Sequence, residues 1–236
     1  AGVGTANPEF KLSIDNDGGI IAKGTYGSGD DLISTGAGAR MIWYPKKSAF
    51  RAGYIDGGQW NNDTVGGYSV AMGRNTLASG NAAIAFGFGS IASGDYSTAI
   101  GSGLAEGAYS IAMGIAATAN AEGSVAIGKE VKTIGKYAQA MGMNTLAKAY
   151  GSMVVGRYNE VSGNAESWTG SDPLFVIGNG TDVAPNNAFT VMQDGKVGVS
   201  TANPRYDFEV AGVFNATDVL INGKELVEST PGLLSL

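Results

Sequence analysis

The side chains that could do chemistry in this chain are carboxylates, aromatic rings and a few cations, because histidine and cysteine are both absent. That removes most zinc sites, the common Ser-His triads, disulfides and thiol chemistry. Three constellations remain. Asp15-Asn16-Asp17-Gly18-Gly19 has the outline of a calcium loop but lacks the third acidic position and the distal Glu of an EF-hand. It reads as a turn between two strands, and no metal or other cofactor is expected. Cleaving a glycosidic bond needs paired carboxylates in a groove. Between residues 66 and 163 the main acids are Asp95, Glu106, Glu122, Glu130 and Glu160; only Asp95 and Glu106 are near neighbours, and no cleft is apparent around them. No catalytic residue is assigned. The third constellation, Met41–Trp60, interleaves Trp43, Tyr44, Phe50, Tyr54 and Trp60 with Lys46, Lys47 and Arg51. Aromatic faces suit sugar rings, so Trp43, Tyr44, Lys46, Lys47, Arg51 and Trp60 are candidate ligand contacts. The same stretch precedes a repeat array whose open end needs a cap, and that position favours a plug.

The elements that must carry these residues are set by a repeat. YSVAMG (Tyr68–Gly73) returns as AAIAFG, YSTAIG, YSIAMG, GSVAIG, YAQAMG and GSMVVG, closing at Gly87, Gly101, Gly114, Gly128, Gly142 and Gly156. Such a period is that of a solenoid, in which one copy cannot bury its apolar face alone. Along each strand the side chains alternate. Ser69, Ala71 and Gly73 lie on one face. Val70 and Met72 lie on the other, matched by Ile84 and Phe86, Ile111 and Met113, Val125 and Ile127. Each glycine is followed by a second short strand, marked by Leu77-Ala78, Ile91-Ala92, Leu104-Ala105 and Leu146-Ala147. Gly80, Gly94, Gly107, Gly135 and Gly163 are expected at a return bend with positive φ. One turn is thus two strands and two bends. About seven turns of 14 residues stack to about 34 Å.

The small column fits a narrow coil interior. The large column then points outward, as an apolar stripe longer than soluble monomers expose. Covering each such side chain is worth about 1.5–3 kcal/mol, and copies of the same chain around an axis cover it most simply. The tyrosines Tyr68, Tyr96, Tyr109 and Tyr137 fall at one bend and read as stacked packing.

Composition bounds the rest. The 236 residues include 38 glycines without a Gly-X-Y period, which excludes collagen and favours turn-dense β structure. A net charge of −6 with no basic run gives no reason to expect nucleic acid. No apolar run is long enough for a membrane-spanning helix, and no membrane insertion is expected of this segment. The start, lacking a signal-peptide pattern and beginning mid-motif, reads as a piece cut from a longer protein. Gly57-Gly58 is no phosphate loop. Thr76, Thr118, Thr133 and Thr145 are too scattered for an ice-binding array. Asn179-Gly180 and Asn222-Gly223 read as hairpin turns.

SGDYSTAIG (Ser93–Gly101), with GSVAIG and YSIAMG, resembles the head repeat of trimeric autotransporter adhesins, over residues 66 to about 163. The resemblance implies a left-handed parallel β-roll, three chains side by side, on the bacterial surface. Gln139 in the large column and a turn one residue short around Gly107 depart from the pattern. Outside the repeats, GVGTANPEFKLSI (Gly2–Ile14) returns as GVSTANPRYDFEV (Gly198–Val210), an arrangement that looks like the shaft modules of phage tail fibres. The expectation is an all-β homotrimeric fibre with a β-rich shaft or capping module over residues 1–60, the roll over 61–163 and a β-rich shaft module over 164–236. Expected partners are further copies of the chain and a host or bacterial cell-surface ligand, glycan or matrix protein. The expected place is extracellular, on a bacterial surface or a tail-like particle. The competing function is a β-solenoid polysaccharide depolymerase. A cell-anchored adhesin, a phage fibre and an injection-device fibre are all compatible parents.

Overall fold

The computed structural model describes residues 2–3, 13–14, 19–33, 36–216, 220–221 and 224–225. The chain is all-β; the one helical turn in this part is a 3-10 turn at Pro45–Lys47. Nine strand segments stack in parallel, one per rung. They are Ala49–Ile55, Val70–Arg74, Ile84–Phe88, Thr98–Ala105, Ile111–Ala119, Val125–Lys129, Gln139–Met143, Met153–Arg157 and Pro173–Asn179. The register is strict, so Gly53, Gly73, Gly87, Gly101, Gly114, Gly128, Gly142, Gly156 and Gly178 form one column. The seven motif copies therefore acquire one further rung at each end, and the β-solenoid is not confined to residues 61–163. A second wall stacks Leu77, Ile91, Leu104, Thr118, Lys132 and Leu146.

The interior is a narrow bore lined by four columns of small residues. Ser69, Ala83, Ser97, Ser110, Ser124, Ala138 and Ser152 form one; Ala71, Ala85, Ala99, Ala112, Ala126 and Ala140 form the next. Across from them, Ala78, Ala92, Ala105, Ala119, Thr133 and Ala147 form the third, fully buried, and Thr76, Ser90, Ala117, Val131 and Thr145 form the fourth. Large side chains enter the second column only at its ends. Arg51 occupies the rung below Ala71, and Val154 and Val176 occupy the rungs above Ala140. Arg51 is 1% exposed and has no carboxylate partner among the described residues. Its guanidinium donates instead to the carbonyls of Phe50, Ser69 and Ala78 and to Ser69 Oγ at 2.7–3.0 Å. Desolvation lowers its pKa to about 10. Trp60 is fully buried beside it and donates its indole N–H to the carbonyl of Thr76 at 2.8 Å.

The two bends place strain where the sequence reading did not. Of the five bend glycines only Gly163 has positive φ, at +107°; Gly80, Gly94, Gly107 and Gly135 do not. A Cβ at Gly80 or Gly94 would overlap the carbonyl of the next rung, so close approach explains them. The left-handed position is two residues on, at Ser48, Tyr68, Ala82, Tyr96, Tyr109, Gly123, Tyr137 and Gly151. The glycine of each motif likewise sits at a corner and not in the bore; Gly128 has φ +132°, and a Cβ there would overlap the carbonyl oxygen of Gly142.

The short turn has a local cause. The residue missing between Ser102 and Gly103 is the left-handed corner residue that other rungs supply as Asn75, Gly89, Ala116, Glu130 and Asn144. Thr98–Ala105 cuts the corner as one continuous strand, and the ladder to the next rung slips between Ile115 and Thr118. The amide of Ala116, left without a backbone partner, donates to Ser102 Oγ at 3.1 Å.

Both ends of the stack change to antiparallel pairing. Gly38–Tyr44 pairs antiparallel with the first rung, and Asn187–Met192 with the last. Asn187–Met192 also pairs with Val197–Val199, which pairs parallel with Phe208–Val210. Asn179-Gly180 opens this hairpin but is not its tip: the reversal spans residues 180–186, closed by reciprocal backbone bonds between Thr181 and Ala184. The duplicated flanks pair alike. Gly198 faces Glu209 and Val199 faces Val210; at the equivalent positions Gly2 faces Ser13 and Val3 faces Ile14. The first Thr-Ala-Asn-Pro turn, the Asp15–Gly18 stretch and Asn222-Gly223 lie outside the described residues. Ile221 faces Lys224 across the last pair.

The glycine column yields a graded expectation. Gly128→Ala places a methyl against a neighbouring rung at positive φ and should cost about 3 kcal/mol or more. Gly89→Ala, also at positive φ but with no atom in its path, should cost about 1 kcal/mol. Melting temperatures of the two variants check the order.

Candidate binding surfaces

The candidate ligand contacts before the roll are divided by their position. Arg51 and Trp60 are inside the bore's mouth, as described above. Tyr44 is buried with Ala49 and Val65, and its hydroxyl donates to Asn62 Oδ1 at 2.7 Å. Lys47 is turned inward, its ammonium donating to the carbonyls of Asn62 and Val65. Lys46 pairs with Asp31 at 2.8 Å; the shared hydrogen bond raises the lysine and lowers the aspartate. Trp43 alone of the six is exposed, at 43%, on the outermost strand with Met41 at 76%. The stretch thus stoppers the roll, and its rings do not meet on one face.

Three carboxylates of the roll are engaged singly. Asp95 accepts the amide of Asn81 at 2.8 Å, Glu106 accepts from the side-chain amide of Asn120, and Glu122 accepts the hydroxyl of Tyr137 at 2.9 Å. Among the described residues no cluster of three or more acids is placed to hold a metal, and no helix is long and apolar enough to cross a membrane.

Two columns dominate the outside. The first is apolar. Val70, Met72, Ile84, Phe86, Ile111, Met113, Val125 and Ile127 all point away from the bore, paired rung to rung in register. None is buried within the chain; Met72 is 41% and Ile111 36% exposed. Thr98 and Gln139 are the polar interruptions. The alternating strand forces this arrangement: with Ala or Ser at the inward positions of these rungs, the larger neighbours can only face out.

The second column is aromatic and follows the left-handed bend. Tyr68, Tyr96, Tyr109 and Tyr137 have φ of 56–59°, a costly conformation for a bulky residue. A regular ladder offsets the strain. The N–H of each corner residue donates to the rung below: Tyr68 to Lys47, Ala82 to Gly67, Tyr96 to Asn81, Tyr109 to Asp95 and Tyr137 to Glu122, at 2.7–2.8 Å. Tyr96 and Tyr109 stack with centroids 4.9 Å apart and planes within 2°. The flanks continue the column. Tyr26 stacks on Tyr68 at 4.4 Å, and Trp168 reaches the bend at Gly151. Sequence spacing located the tyrosines, but nothing in it signalled that Tyr26 and Trp168 would join them.

Against known proteins, the model of the YadA head domain repeat, in two copies, matches residues 65–90, 78–103 and 105–130. No curated protein and no solved structure matches the chain. The matched turns are those of the regular roll; the end rungs and both antiparallel caps lie outside them.

The phenols give a pH expectation. Partial desolvation and then Tyr26 push Tyr68 above 10.0, and the bond to Glu122 pushes Tyr137 above 10.0. A raised phenol stabilises the fold below its unfolded pKa, and that contribution is lost as pH rises through the folded value. Absorbance titration should show Tyr68 and Tyr137 ionising above the ordinary phenol value, with the Tyr137 shift reduced in Glu122→Gln. Melting temperature should stay level from pH 5.5 to 8, where no histidine titrates.

Proposed function

We propose that this chain is a non-catalytic adhesive segment of a homotrimeric extracellular fibre. The observation that carries the reading is the outward apolar column, in register over every rung of a roll whose matched turns are of the YadA head type. A bore filled with alanine and serine offers these side chains no room, so their burial needs other chains. Three copies with their apolar walls toward one axis bury the column and leave the bends and short loops facing outward. Val70, Met72, Ile84, Phe86, Ile111, Met113, Val125 and Ile127 then form the seam between chains. The ends fit a fibre, since each closes in antiparallel strands and the same paired motif stands before and after the roll. Such a surface binds by repetition: three identical faces engage several weak sites together, which raises avidity without a deep pocket. A bacterial surface or a tail-like particle is the setting in which such a rod serves attachment. The polysaccharide-cleaving reading finds no support in the placement of the carboxylates: Asp95, Glu106 and Glu122 each hold an amide or a hydroxyl, and Glu130 lies 3.7 Å from Lys129.

The experiment is attachment of the purified full chain to cultured host cells and to matrix-coated surfaces, with an Ile111→Asp variant beside it. A carboxylate in the seam is costly to bury unpaired, and three would meet near one axis. The native chain should attach. Ile111→Asp should lose both assembly and attachment, whereas Asn144→Asp, at a bend, should retain both. An Ile111→Asp variant with native mass and melting temperature would overturn the seam.

A further inference from the structure

The aromatic column is interrupted at Ala82, the one full rung between Tyr68 and Tyr96. We propose that this interruption is a binding subsite for one neutral pyranose ring, held between the two tyrosines. The proposal rests on the adhesive reading and names the class of ligand.

The spacing fits one flat ring. Tyr68 and Tyr96 stand two rungs apart, about 9.6 Å along the stack. A ring inserted between two faces needs about 3.5–4 Å on either side, so the slot admits a single ring and no more. Each tyrosine already has one face covered from the far side. Tyr96 is stacked by Tyr109, and Tyr68 by Tyr26, whose neighbour Gly27 donates to the carbonyl of Lys46 on the first rung. Both residues nevertheless remain 50–53% exposed, and Ala82, the corner residue between them, brings no ring of its own to the bend. The second interruption, at Gly123, is different: Tyr137 leans across it, and a Cβ at Gly123 would lie 2.5 Å from that ring.

The polar groups at the slot specify the ligand. Asn81 precedes Ala82, and no hydrogen bond within the described residues uses its side-chain amide. Asp95 spends Oδ1 on the amide of Asn81 and keeps Oδ2 free. Donors and acceptors thus ring a slot whose walls are aromatic. A pyranose matches this: its C–H faces lie on the rings and its equatorial hydroxyls reach an amide and a carboxylate. The fixed carboxylate makes the site repel acidic sugars.

The test is an array of immobilised oligosaccharides, with lactose, N-acetyllactosamine, cellobiose and mannobiose as neutral probes and sialyllactose as the acidic one. The full chain should bind at least one neutral probe and not sialyllactose. Ala82→Tyr fills the slot with the residue that four other rungs carry at this bend. It should keep the melting temperature and lose binding about ten-fold or more. Tyr137→Ala, at the other interruption, should bind as the native chain does. Native binding by Ala82→Tyr overturns the proposal. So does a chain that binds no neutral probe yet attaches to cells, or one captured instead by a proline-rich peptide; in both cases the adhesive reading survives. A chain that attaches to neither cells nor sugars overturns both.

Discussion

The width of the bore is the constraint from which the other features follow. Two walls of parallel strands close around Ala71 and Ala78 and their equivalents, with no residue larger than valine in the regular interior. A core of methyl groups and hydroxyls buries little apolar area per turn, so this roll cannot draw its stability from its inside alone. Backbone pairing between rungs supplies a second source. The larger side chains, excluded from the bore by alternation, are the third, and they contribute only when something covers them. Proposed assembly and local structure are therefore two consequences of one choice of small residues.

The same constraint accounts for the ends. A narrow tube of backbone carbonyls exposes an open mouth at each end, and this chain stoppers both. At the lower mouth a guanidinium takes the place of alanine and adds hydrogen bonds to the carbonyls of Phe50, Ser69 and Ala78. Buried without a carboxylate among the described residues, Arg51 is tolerated because both terminal nitrogens meet oxygens, although its Nε meets none. At the upper mouth Val154 and Val176 widen the column, and the antiparallel hairpin beyond them closes the ladder. Antiparallel strands at both ends also remove the parallel edge on which further chains would stack.

Much of this was legible in the residues. The period fixed the turns, and the alternation separated the Ser/Ala columns from the Val/Ile/Met/Phe column. What the period did not show were the two extra rungs, because loops lengthen their spacing to 20 residues before Val70 and 22 after Met153. Phe175-Val176-Ile177-Gly178 does keep the motif's ending, a signal that could have found the upper rung. The bends were harder. Glycine marks positive φ in most proteins, yet at this bend tyrosine occupies the left-handed corner on four rungs and glycine only at Gly123 and Gly151, while Gly80 and Gly94 mark close approach. Only the rung-to-rung ladder makes that exchange affordable. The aromatic-basic stretch divided for a related reason: Arg51 and Trp60 resemble a ligand platform in composition, and burial is decided by register with Ala71 and by contact with Thr76, neither of which is local.

The measurement that tests the account most directly is the mass of the intact chain in solution by sedimentation equilibrium, across the micromolar range. If the bore compels its outward column to be covered by copies, the mass should be three times the 23.9 kDa of one chain and should not fall on dilution. A folded monomer at 23.9 kDa, with the β spectrum and cooperative melting of the assembled form, would contradict it.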